Sequence, residues 1–151
     1  MIIQELPILI ELEPTWWDKA PDIQIKFDNE VLFETIVSST RIFEFVAKVD
    51  EEENQLHLIE IILQNKTDSQ TIVENGEIVK DQLIHVKNIT MDEYEIDNLK
   101  WILGQYHFNK PQMIGDTMTD NLPGCTTLGI NGVYSLEFTT PYYYWLLENI
   151  E

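Results

Sequence analysis

The stretch "QLHLIEIILQN", residues 55–65, is apolar on both faces of an extended chain, with Leu56, Leu58 and Ile62 on one side and Ile59, Ile61 and Leu63 on the other. A half-covered strand alternates apolar with polar, so a run apolar on both sides belongs in the middle of a sheet. The segments before it read as its neighbours. In "TRIFEFVAKV", residues 40–49, Phe43, Phe45, Ala47 and Val49 form an apolar side against Ile42, Glu44, Val46 and Lys48. In "DIQIKFDNEVLF", residues 22–33, Ile23, Ile25 and Phe27 alternate with Gln24 and Lys26 before an Asp28-Asn29 turn. Both patterns have the period of two that marks a strand with one buried face.

Beyond residue 65 the pattern continues as short strands. "TIVENGEIV", residues 71–79, sets Asn75-Gly76 between two β-prone runs, and Asn-Gly favours a two-residue hairpin turn because both positions accept positive φ. "QLIHVKNITMDEYEI" supplies one strand and a second short one. The final third holds five of the six glycines and half of the prolines. In it "VYSLEFTT" is a strand with Tyr134, Leu136 and Phe138 on one side, "NLKWILGQ" one or two helical turns ended by Gly104, and "YWLLENI" a short helical or extended tail. Many short strands without a long helical period indicate an all-β fold. The expected architecture is a jelly-roll-like β-sandwich, with a closed barrel as the alternative, one or two short helical turns in the C-terminal third, and a single domain over residues 1–151 closed by an aromatic segment.

Composition limits the partners. Nine Lys and Arg stand against 27 Asp and Glu, a formal net charge of -18, and such a field repels phosphate backbones and anionic lipid. Neither nucleic acid nor a membrane is an expected partner. No run approaches the roughly 20 apolar residues of a membrane-spanning helix, and the N-terminal stretch lacks the basic start and small-residue cleavage site of a leader. The single cysteine, Cys125, excludes an internal disulfide and reads as an inert, at least half-buried thiol.

No catalytic motif is present. His57, His85 and His107 lie on β-like runs without His-x-His or His-x-x-x-His spacing, and phosphate loops, G-x-S-x-G and G-x-G-x-x-G are missing. The expectation is a protein that is not an enzyme. The segment from Asn65 to Ile89 gathers oxygen-bearing side chains, and a hard cation such as Ca²⁺ takes several oxygens from loops on a rigid scaffold. Asn65, Asp68 and Asp81 are the candidate metal ligands. Sugar rings stack on exposed aromatic faces, which makes Trp16, Trp17, Tyr142 and Tyr144 the candidate carbohydrate contacts.

Two resemblances extend these readings. "IEIILQNKTDSQT" followed by "KDQLIHVKNITMD" resembles the small calcium-dependent xylan-binding modules, which implies a jelly-roll sandwich, a Ca²⁺ cofactor, and Asp68 and Asp81 at the positions of that family's cation-binding acids. The chain departs from the pattern at Gln82, where an Asn is expected, and in lacking the family's disulfide. "LGINGVYSLEFTTPYYYWLLENIE" is similar to small proteins of unassigned role from large tailed bacteriophages. It implies synthesis in bacterial cytoplasm and a place in the virion. Together they point to a non-catalytic virion accessory or structural protein, with other virion proteins and surface glycans as partners. The alternative is an acidic intracellular effector that binds a host protein.

Overall fold

The structure, a computed structural model, describes residues 2–52, 54–96 and 103–149. Its strands are β1 (Ile3–Thr15), β2 (Asp22–Phe27), β3 (Glu30–Ile36), β4 (Arg41–Asp50), β5 (Leu56–Gln64), β6 (Ile72–Glu74), β7 (Glu77–Lys80), β8 (Leu83–Met91), β9 (Tyr94–Glu95), β10 (Gln105–Ile114), β11 (Thr117–Pro123), β12 (Thr127–Leu128) and β13 (Gly132–Thr139). A 3₁₀ turn spans Asp68–Gln70, and one helix, α1 (Tyr142–Asn149), closes the described chain.

Two antiparallel sheets face each other. The first runs β12-β8-β1-β4 with β9 paired to β8; the second runs β11-β10-β13-β5-β2-β3; β6 and β7 form a separate hairpin. Strands β3, β4 and β5 alternate between the sheets, as do β11, β12 and β13, which is the jelly-roll-like sandwich the sequence indicates. The doubly apolar segment is β5, and it lies between β13 and β2 as a central strand.

The core lies between the sheets, where the period of two sends alternate side chains. Leu6, Ile8, Ile10 and Leu12 of β1 meet Ile59, Ile61 and Leu63 of β5 and Tyr134, Leu136 and Phe138 of β13, all fully buried. Each such side chain contributes about 2 kcal/mol by leaving water. Both expected hairpin turns form with positive φ at their central residues, 48° and 70° at Asp28-Asn29 and 54° and 80° at Asn75-Gly76. Of the helical turns expected in "NLKWILGQ" and ended by Gly104, residues 98–102 lie outside the described residues.

The closing segment is helical, and this corrects one expectation. A helix brings positions i, i+3 and i+4 to one face, so Tyr142, Trp145 and Leu146 are buried together while Tyr143 and Tyr144 face solvent. Tyr142 is fully buried, its hydroxyl donating to the Met91 carbonyl oxygen at 2.9 Å. It has no open ring face and is a core residue, not a carbohydrate contact.

Candidate functional site

A cleft of about 450 Å³ opens at the end of the sandwich where β13 begins. Three segments distant in sequence form it: residues 66–71 after β5, residues 109–112 in the outer half of β10, and residues 129–131 before β13. Its walls are polar, with Lys66, Asp68, Thr71, Asn109, Lys110 and Asn131 among them.

Hydrogen bonds fix these segments to one another. The Asn131 side chain accepts from the Lys66 backbone N–H at 2.9 Å and donates to the Lys66 carbonyl oxygen at 2.8 Å, tying the first segment to the third. The Asn109 N–H donates to the Asn131 carbonyl oxygen at 3.0 Å and brings in β10. Below them Tyr106, buried, donates its hydroxyl proton to the Ile130 carbonyl oxygen and accepts from the Ile130 N–H at 2.9 Å. Burial pushes the Tyr106 phenol up, so it holds this loop as a neutral group. Gly132 permits the close approach of β10, since a Cβ there would meet the His107 carbonyl oxygen at 2.2 Å.

At the base, the Lys66 ammonium donates to Asp81 Oδ1 at 2.6 Å and to the Gly129 carbonyl oxygen. Asp81 Oδ1 also accepts from Thr71 Oγ1 at 2.7 Å and from the Gln82 N–H at 2.8 Å. Burial raises the carboxyl's pKa, but the bonds from Lys66, Thr71 and Gln82 and the charge of Lys66 outweigh it, leaving Asp81 below its ordinary value of 3.8. A carboxyl depressed on folding adds stability that is complete above 3.8 and is lost as the pH falls through the lower folded value. Asp81→Asn should therefore melt below the wild type at neutral pH, and the gap should narrow below pH 3.8. Melting curves of both proteins across that range check this; a constant gap would assign the loss to packing.

The expected metal ligands do not form one set. Asp68 lines the cleft and Asp81 bonds Lys66, but the Asn65 amide donates to Asp22 Oδ2 at 2.8 Å and its residue lines a separate cleft with Asp22 and Gln64. Among the described residues no group of three or more His, Cys, Asp or Glu side chains is placed to hold a metal ion. Lys66 supplies the cation opposite Asp81, so the donors present do not fit Ca²⁺.

The aromatic candidates divide between the two ends of the sandwich. Trp16 and Trp17 are 42% and 41% exposed, and their indole N–H groups donate to the carbonyl oxygens of Ser38 at 3.0 Å and Gln70 at 2.8 Å. Buried Gln70 bonds both Asp18 and Lys19, so the Trp17 loop is fastened to the turn that carries Asp68. Lys80 lies 4.8 Å above the Trp17 ring. Tyr144, 66% exposed, borders another cleft with Thr139 and Thr140 at the far end of β13. Eight residues of β13 separate the two ends, about 25 Å at the rise of a strand, so Tyr144 and Trp17 cannot contact one short ligand.

Sequence reasoning missed Lys66, Lys110 and Asn131. Asn131 carried a signal in "INGVY", which also fits a turn, whereas nothing local marks either lysine. Cys125 is half-buried, its thiol 3.2 Å from the Thr127 carbonyl oxygen. His57 is 7% exposed, stacks against both Phe27 and Phe138, and bonds Asp28.

No family model matches the chain, and no curated protein matches it. Two solved structures share its fold. One is vCBM60 in complex with galactobiose, at a TM-score of 0.54 and 7% identity, covering 86% of this chain and 96% of that one. The other is the selenomethionine form of vCBM60, described as part of an evolutionary link by circular permutation between two families of calcium-dependent carbohydrate binding modules, at a TM-score of 0.51 and 8% identity over 87% of this chain and 89% of that one. The chain thus has the β-sandwich fold of a carbohydrate-binding module.

Proposed function

We propose that the protein is a non-catalytic glycan-binding module that takes a short, neutral oligosaccharide in the cleft between residues 66–71, 109–112 and 129–131. The observation that carries this reading is the cleft's lining. Lys66 and Lys110 offer charged donors, Asp68 a charged acceptor, and Asn109, Gln112 and Asn131 amides that can do both, a set matched to hydroxyl groups, which also donate and accept. Its volume falls within the range of small-molecule sites, roughly 300–1,000 Å³. The likeness to vCBM60 supports the same reading through the fold.

Calcium is the cofactor of the families named for the second neighbour. In this chain the Lys66 ammonium stands opposite Asp81, and our reading is that the cleft binds sugar without a metal. A glycan array probed with and without chelator tests both points. We expect binding to a neutral oligosaccharide that chelator leaves unchanged, and a melting temperature that millimolar calcium does not move, because a ligand of the native state must raise it. An array without any hit overturns glycan binding. Binding lost with chelator, together with a calcium-dependent rise in melting temperature, restores the metal. The likeness of the closing segment to phage proteins supports a place for this module on a virion, which mass spectrometry of purified particles would test.

A further inference from the structure

We infer that the chain pairs with a second copy of itself through the open edge of β4, in one register fixed by Glu44 and Lys48. Among the described residues strand β4 ends the first sheet and β3 ends the second. Residues 37–40 join them, and Phe33 meets Phe43 edge-on at 5.1 Å, so both open edges lie on the same side of the sandwich.

The hydrogen-bond phase shows what β4 presents there. The Glu51 N–H donates to the Ile2 carbonyl oxygen, and antiparallel bonding alternates from that pair. Phe43, Phe45, Ala47 and Val49 therefore bond β1 and send their side chains inward, where Phe43, Ala47 and Val49 are buried. Ile42, Glu44, Val46 and Lys48 aim their backbone groups away from β1, and among the described residues no further strand lies on that side. Ile42 and Val46 are 56% and 52% exposed.

Natural edges are usually shortened, bulged or interrupted by proline. β4 is ten residues long, contains no proline and pairs with β1 without a register shift. What guards it is the alternation of charge with apolar residues, and that alternation is self-complementary. Residues directly opposite in an antiparallel pair share a face, so the outward row of one copy meets the outward row of the other. In one register Glu44 lies opposite Lys48 of the second copy, Val46 opposite Val46, and Lys48 opposite Glu44. A shift of two residues sets Glu44 against Val46 or Asp50, and a shift of four sets Glu44 on Glu44 or Lys48 on Lys48. Only the first register pairs both charges with their opposites. It also extends the first sheet continuously through the two copies.

A net charge of -18 per chain opposes association, so physiological or higher salt, where the Debye length falls to about 8 Å or less, is the condition to use. Sedimentation velocity of the full chain from low to high micromolar concentration should show a dimer that grows with concentration. Glu44→Lys and Lys48→Glu should each raise the dissociation constant about tenfold by placing like charges opposite one another twice per dimer. The double swap Glu44→Lys/Lys48→Glu should return it to the wild-type value. Glu44→Lys makes the chain less negative, so a plain net-charge effect would strengthen the dimer instead. A chain that stays monomeric throughout, a dimer indifferent to Glu44→Lys, or a double swap that fails to restore pairing each overturns the proposal. Both positions are exposed, so unchanged melting of dilute variants serves as the folding control.

Discussion

Phe138→Ala should lower stability by about 3–5 kcal/mol, the usual range for removing a buried aromatic ring, and for a chain of this length each kcal/mol corresponds to roughly 2–4 °C in melting temperature. Phe138 is fully buried on β13, and its ring is a shared packing partner at the end of the sandwich away from the candidate cleft. His57 stacks on it at 5.3 Å, and Tyr142 and Trp145 meet it edge-on at 6.2 Å and 5.9 Å. Those last two residues belong to the buried face of α1, so the cavity would open beneath the helix. Amide exchange should accelerate across Tyr142–Asn149 before it does in β5 or β13. Tyr144→Ala, on the exposed face of the same helix, should leave both observables unchanged. Melting by near-ultraviolet circular dichroism with exchange mass spectrometry checks both, and equal loss in the two variants would contradict this account of how α1 is held.

Much of this fold was legible because its signals are local. The hairpin turns at Asp28-Asn29 and Asn75-Gly76 need only two residues that accept positive φ. The central place of β5 is written in its two apolar faces. β1 is the long strand that the sequence reading passed over, although Leu6, Ile8, Ile10 and Leu12 alternate cleanly in it. It carries Pro7 and Pro14, which normally mark an edge. The register shows why they are accommodated: Pro7 lies just beyond the last β1–β8 pair, Ile8 with Met91, and Pro14 lies beyond the last β1–β4 pair, Leu12 with Arg41. Each falls where one neighbouring strand has already ended.

The tail and the cleft were harder to read for different reasons. "PYYYWLL" has enough apolar residues to satisfy a period of two or of 3.6. Only the helix determines that Tyr142 joins Trp145 in the core while Tyr144 stays outside. The cleft is assembled from segments nearly forty residues apart at one step and nearly twenty at the next, joined by Asn131 and Tyr106 through long-range bonds. Asp81 was visible as a carboxylate, but its partner could not be read from spacing. A lysine fifteen positions away supplies the charge that the resemblance assigned to calcium.

Lys66→Met separates the structural role of that lysine from the binding role proposed for it. Its side chain is 8% exposed and that of Asp81 16% exposed, so deleting the ammonium leaves a largely buried carboxylate without its counter-charge. Breaking a buried pair from one side costs about 3–5 kcal/mol, and the remaining bonds from Thr71 and the Gln82 N–H should keep the loss near the lower figure. The acid dependence assigned to Asp81 should shrink with it, since the depressing charge is gone. Glycan affinity should fall by roughly tenfold to a hundredfold, the weight of one charge-assisted hydrogen bond. The double variant Lys66→Met/Asp81→Asn removes the stranded charge as well and should recover part of the lost stability. It does not restore a donor to the cleft, so its affinity should remain as low as that of Lys66→Met. Melting curves beside titrations with an oligosaccharide from the array read the two effects separately. If the double variant recovers both, Lys66 serves the fold and the sugar must be held elsewhere.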